Sequence, residues 1–171
     1  MKENLTIKED FEFAFKNHQK NNLEVAEKFY KKILKINPNH FESIFLLGTL
    51  SAQIKNFDLA KELLLKTIQI NPNYADAHNN FGAVLKELGE YQKALSYCQK
   101  AIQIQPNLGS AHINLGLIFQ ELGKYQKAID CYKKLSQIKP NAANAHQNLG
   151  KLYMVLGDIQ RAISSYQDAL K

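Results

Sequence analysis

Residues 75–108 read ADAHNNFGAVLKELGEYQKALSYCQKAIQIQPNL, and blurred copies of this stretch stand before and after it. The four prolines of the chain, Pro38, Pro72, Pro106 and Pro140, are each 34 residues from the next. Gly48, Gly82, Gly116 and Gly150 keep the same step, as do Ala26, Ala60, Ala94, Ala128 and Ala162. A fixed period of this length marks a solenoid, because each unit is too small to bury its own apolar face and must stack on its neighbours. By length the 171 residues would fit one ordinary domain, but the repeat replaces a globular core with a quasi-linear one.

Within each unit the apolar residues recur at helical spacing in two runs. Thr6-Ile7-Lys8-Glu9 has the form of a capping box, which starts the first helix near Ile7 with Thr6 as N-cap. A break at Asn21-Asn22 separates it from a second helix carrying Ala26, Phe29, Tyr30, Ile33 and Leu34, which ends before Asn37-Pro38. Asn39 is the expected N-cap of the next helix, with Glu42 as its reciprocal partner and a turn near Lys55-Asn56. In later units Leu88-Gly89, Leu122-Gly123 and Leu156-Gly157 supply a helix-terminating glycine that can enter the left-handed region. Gly82 and Ala94 are expected to face one another where the two helices of a hairpin cross, since larger side chains would force them apart.

Composition excludes several function classes. Apolar residues make up 45% and charged residues 22%, as in a folded domain, and no apolar run is long enough to span a bilayer. MKENLTIKEDFEFAFK lacks the apolar core of a secretory signal, so the default location is cytoplasmic. The net charge of +6 is gathered at the two ends, and residues 41–108 are neutral. Many lysines, among them Lys31, Lys32, Lys35, Lys100, Lys133, Lys134 and Lys139, fall late in second helices, where they complement the helix dipole. No nucleic-acid partner is therefore expected. Cys98 and Cys131 stand in unlike registers and read as small buried hydrophobes, not as a disulfide or metal pair.

The units His78, Phe81, Gly82, then His112, Leu115, Gly116, then His146, Leu149, Gly150 carry the large-residue, leucine, glycine pattern of a first helix, and with the spaced prolines they resemble tetratricopeptide repeats. The resemblance covers nearly the whole chain, 1–171, as one array of about five units: 7–40, 41–74, 75–108, 109–142 and an incomplete 143–171. It implies an all-α, right-handed superhelical solenoid of antiparallel helix hairpins. The departures are the lack of tryptophan, Ala14 in place of the glycine, and a sequence that stops short of a fifth proline.

At 100° per residue, His78, Phe81, Gly82 and Leu85 share the packed face of the first helix in residues 75–108, and Asp76, Asn80, Ala83 and Glu87 fall roughly opposite. In the family the first helices line a concave groove, which makes this second face the implied ligand face. Its later equivalents include Asn114, Leu117 and Glu121, then Asn148 and Lys151. Asn80, Asn114 and Asn148 stand at one register in three consecutive units, and each carboxamide can pair with the N–H and C=O of a passing backbone. The A-H-x-N-[LF]-G pattern resembles the asparagine ladder of protein O-linked N-acetylglucosaminyltransferases. The same asparagines could instead be solvated, cross-link adjacent helices, or reflect shared ancestry of the repeats. Six hydrogen bonds at about 1 kcal/mol each, set against about 2–5 kcal/mol for ordering a peptide, make a weak site. Side-chain pockets must add affinity, with Phe11, Phe15 and Phe45 as anchor candidates or as a seal on the end of the array.

His78, His112 and His146 do not form a metal site, because equivalent residues on helices about 8–10 Å apart cannot converge on one ion. No phosphate loop, nucleophile elbow or paired-carboxylate arrangement is present, so neither catalysis nor a cofactor is expected. The lysine and arginine set of a carboxylate clamp is absent too. The expected partner is a protein or extended peptide held in the groove. Two alternatives stand beside this, the recognition arm of a larger transferase and a homo-oligomer formed through the array ends. For the latter, Ile159, Ile163, Tyr166 and Leu170 give the last helix an apolar stripe.

Overall fold

The computed structural model describes residues 2–170, with side chains from residue 6 onward. The helices are α1 (Lys2–Gln19), α2 (Leu23–Ile36), α3 (Phe41–Gln53), α4 (Phe57–Ile70), α5 (Ala75–Glu87), α6 (Tyr91–Ile104), α7 (Gly109–Glu121), α8 (Tyr125–Ile138), α9 (Ala143–Val155) and α10 (Ile159–Asp168), and no strand occurs among the described residues. Each packs on the next in sequence. The first helices α3 and α5, and α5 and α7, also touch, whereas the second helices do not do so to a like extent among the described residues. The first helices therefore form the tighter, inner side of an all-α helical-repeat solenoid.

Each second helix ends where a residue before proline is driven out of the helical region, and Asn37, Asn71, Gln105 and Lys139 all take extended backbone. Each first helix ends on a residue with positive φ: Asn21, Lys55, Gly89, Gly123 and Gly157, again 34 apart. Where the hairpins cross, a Cβ at Gly82 would stand 2.5 Å from Cys98 Sγ and 3.2 Å from the carbonyl oxygen of Ala94. At Gly116 it would stand 2.5 Å from the Tyr132 ring, and at Gly150 2.7 Å from that of Tyr166. The glycine thus makes room for the second-helix residue at register 98, 132 or 166 more than for the alanine.

Three local expectations give way. Thr6 is not an N-cap, since α1 already begins at Lys2 and places it inside the helix. The N-cap of α3 is His40 and not Asn39, because the His40 ring nitrogen Nδ1 accepts the Ser43 N–H at 3.3 Å. Of the lysines assigned to helix dipoles, only Lys35 lies in a last turn and Lys139 is a C-cap, while Lys31 pairs with Glu27 at 2.6 Å and Lys32 with Asp10 at 2.7 Å. Lys171, the last residue of unit 143–171, lies outside the described residues.

The spaced histidines have a structural use. Nε2 of His78, His112 and His146 donates to the carbonyl oxygen of Pro72, Pro106 and Pro140 at 2.8, 2.9 and 3.0 Å, tying each first helix to the loop before it. A carbonyl can only accept, so Nε2 carries the proton. Burial pushes the Cys98 thiol up to about 12 and that of Cys131 to about 11, and both cysteines are free.

Candidate functional site

Two clefts lie on the inner side. The first, about 370 Å³, runs across α3, α5 and the edge of α7 and is lined by Thr49, Gln53, Asn80, Ala83, Glu87 and Asn114, with Lys55, Phe57 and Lys86 closing it. It gathers Asn80, Ala83, Glu87 and Asn114 of the predicted ligand face, with Thr49 and Gln53 at the equivalent registers one unit earlier. The second, about 270 Å³, lies between α1 and α3 and is lined by Phe11, Phe15, Phe41, Phe45, Leu46, Glu42 and Tyr74. Both clefts take lining residues from α3, one helical turn apart, where Thr49 Oγ1 donates to the Phe45 carbonyl at 3.0 Å.

The three asparagines are not equivalent. Asn80 Nδ2 donates to Thr49 Oγ1 at 3.1 Å, and its Oδ1 accepts from Asn79 Nδ2 at 3.3 Å. Asn114 Nδ2 donates to Asn79 Oδ1 at 2.8 Å, and Asn79 Nδ2 also reaches Ser110 Oγ at 3.2 Å. A chain of carboxamides and hydroxyls therefore stitches α3, α5 and α7 together. The Asn148 carboxamide has no hydrogen bond among the described residues. The neighbour one unit back explains this: the positions that would answer Asn148 as Asn79 answers Asn114, or as Thr49 answers Asn80, are Ile113 and Leu117, which have no polar group.

Asn79 is the residue that sequence reasoning missed. It is buried, and its equivalents Phe45, Ile113 and Gln147 give no periodic signal. The only cue is the doublet Asn79-Asn80 where the following units have Ile113-Asn114 and Gln147-Asn148. Lys86, also unforeseen, pairs with Glu87 inside the first cleft. Leu117 is half-buried and Glu121 and Lys151 are exposed, none of them lining either cleft.

In the second cleft Phe11, Phe15 and Phe45 come together as grouped from sequence, joined by Phe41 and Tyr74. The Tyr74 ring stands edge-on to Phe41 at 5.2 Å and to Phe45 at 4.9 Å between centroids, and Phe11 stacks on Phe15 at 6.2 Å. The Tyr74 hydroxyl is held above its usual pKa, first by burial and then by the carboxylates of Asp76 and Glu42. At the other end of the molecule Ile159, Ile163, Tyr166 and Leu170 are all exposed, as are Met154, Val155 and Leu156. No described helix is long and apolar enough to cross a membrane, and no group of three metal-ligating side chains occurs among the described residues.

Models of the tetratricopeptide repeat match residues 17–40, 41–74, 73–141 and 108–171. No curated protein sequence matches the chain. Among solved structures, one of MamA is 30% identical with a TM-score of 0.79, the match covering 92% of each chain. PilF of Pseudomonas aeruginosa superposes with a TM-score of 0.87 at 20% identity, over 99% of this chain and 78% of the other. YrrB, described as a TPR protein with an unusual peptide-binding site, does so with a TM-score of 0.70 at 23% identity, over 94% and 83%. The last two likenesses are of fold alone. With repeat models spanning most of its length, the chain belongs to the tetratricopeptide-repeat family.

Proposed function

We propose that the chain is a protein-interaction scaffold that takes an extended segment of a partner along its inner side. The observation that carries this reading is the pair of clefts that share α3, one lined by carboxamides and one by aromatic rings, which together offer both backbone and side-chain contacts. Among the described residues Asn114 Oδ1 accepts nothing, Asn80 keeps a second N–H, and Asn148 keeps its whole carboxamide for a ligand. Holding Asn80 and Asn114 through Asn79 and Thr49 reduces the ordering that binding would otherwise require. The ladder on this reading is asymmetric, with two preset rungs and one adaptable rung. Selection of peptides from a random display library tests it. Binders to the parent that are lost on Asn80→Ala, Asn114→Ala and Asn148→Ala combined are expected; binders indifferent to that triple change would remove the asparagines from the site.

A second reading, self-association, has its own observation. Ile163 is 47% exposed, whereas Ile129 at the same register one unit earlier is 2% exposed beneath the following hairpin. A second copy of the chain would cover the surface formed by Ile159, Ile163, Tyr166 and Leu170. Sedimentation over a wide concentration range would show association that Ile163→Asp abolishes; a monomer throughout would rule the reading out.

A further inference from the structure

The aromatic cleft is not required by the repeat. At the register of Phe41 the later units have Ala75, Gly109 and Ala143, and at that of Tyr74 they have Leu108 and Ala142, all compatible with the same hairpin. Five rings around one 270 Å³ space, with Phe15 exposed and the other four half-buried, are therefore an addition to the packing. Tyr74 stands edge-on to Phe41 and Phe45 while Phe11 stacks on Phe15, so the five rings do not form a single stack.

The charge lining this cleft is negative. Glu42 lines it beside Tyr74, whose hydroxyl is held above its usual pKa first by burial and then by the carboxylates of Asp76 and Glu42. Neither is in an ion pair with lysine or arginine among the described residues. His40 Nδ1 lies 3.7 Å from Glu42, but that nitrogen accepts the Ser43 N–H and carries no proton to share. Lys8 shares the neighbouring cleft with Phe11 and Glu42 but forms no ion pair with Glu42 among the described residues. Aromatic faces with a carboxylate at the rim attract a cation that brings an apolar stem, a combination that an aliphatic ligand matches only in part.

We propose that the cleft between α1 and α3 is a pocket for an arginine or lysine side chain of the bound protein segment, its charged head among the rings and against Glu42. The inference rests on the groove reading and narrows it: the partner segment is cationic at the position that meets α3. The chain as a whole is basic, at +6, so the preference is local and is not predicted by net charge.

The test is a display library of random dodecapeptides selected on the full chain. Arginine or lysine at one fixed position is expected among the binders. In the tightest of them, replacing that residue by citrulline or norleucine should weaken binding roughly tenfold, as should Glu42→Gln or Phe41→Ala in the protein. Glu42 is exposed, so Glu42→Gln leaves the fold intact as a check by circular dichroism. Binders without a cation at a fixed position, citrulline or norleucine peptides that bind equally, or indifference to Glu42→Gln would overturn the cation pocket. If such binders still require Asn80, Asn114 and Asn148, the groove reading survives it; if no peptide is selected, both fall.

Discussion

The hairpin crossings and the inner groove occupy the same five first helices and obey opposite rules. At the crossings every unit solves one steric problem in one way, with a small residue at register 14, 48, 82, 116 and 150 opposite a side chain at register 30, 64, 98, 132 and 166. Along the groove the units diverge: one register runs Phe11, Phe45, Asn79, Ile113 and Gln147, and the next has Glu12 and Leu46 before it settles on Asn80, Asn114 and Asn148. A position that stays small in all five units is answering a demand that the packing of neighbouring helices makes in every unit. A position that departs is free of that demand and can answer a ligand.

The largest effect should come from emptying a crossing. Tyr132 is fully buried, and Tyr132→Ala should cost about 3–5 kcal/mol, measured as a shift of the denaturant midpoint. Tyr166→Ala, at the same register but partly exposed on the outermost hairpin, should cost well under half of that. Equal losses would mean that the terminal unit is packed as tightly as the interior and would break the contrast.

Filling a crossing should cost less. The Cβ of Gly116→Ala would press on a buried Tyr132 ring with nowhere to go, an overpacking cost of about 1–3 kcal/mol, reduced by about 1 kcal/mol because alanine is the better helix former. Gly150→Ala meets the Tyr166 ring at 2.7 Å, but that ring can swing toward solvent, so its net effect should be near zero. A smaller gain lies in the turn. Lys55 holds φ at 61° where Gly89, Gly123 and Gly157 hold similar values without a Cβ, and Lys55→Gly should raise stability by about 1 kcal/mol.

The period made the helices, their ends and the crossings legible, because steric and backbone demands act through the nearest residues and recur with them. What the period could not settle were choices between adjacent candidates. His40 caps α3 in preference to Asn39, and α1 runs through Thr6, because in each case the helix starts elsewhere than the local motif suggested. The asparagines show the same limit inside the site. Their register was plain in the sequence, but their hydrogen bonds depend on what the preceding unit offers, which is Thr49 for Asn80, Asn79 for Asn114 and only apolar side chains for Asn148.

Asn79 is where the two regions touch, since it is buried like a crossing residue and yet belongs to one unit only. Asn79→Ala removes the acceptor of Asn114 and the donor to Asn80 and Ser110. Its partners sit at a half-open surface where water can replace it, so the stability loss should stay below about 1 kcal/mol. Binding of a peptide selected on the parent should fall as well, by roughly two- to tenfold, because two rungs lose the orientation that binding now receives in advance. The discriminating comparison is with Ser110→Ala, which deletes one hydroxyl contact and leaves Asn79 bonded to both asparagines. If titrations of the two variants gave the same affinity, the carboxamide chain would be a brace between helices with no bearing on the ligand, and Asn79 would belong with the crossings after all.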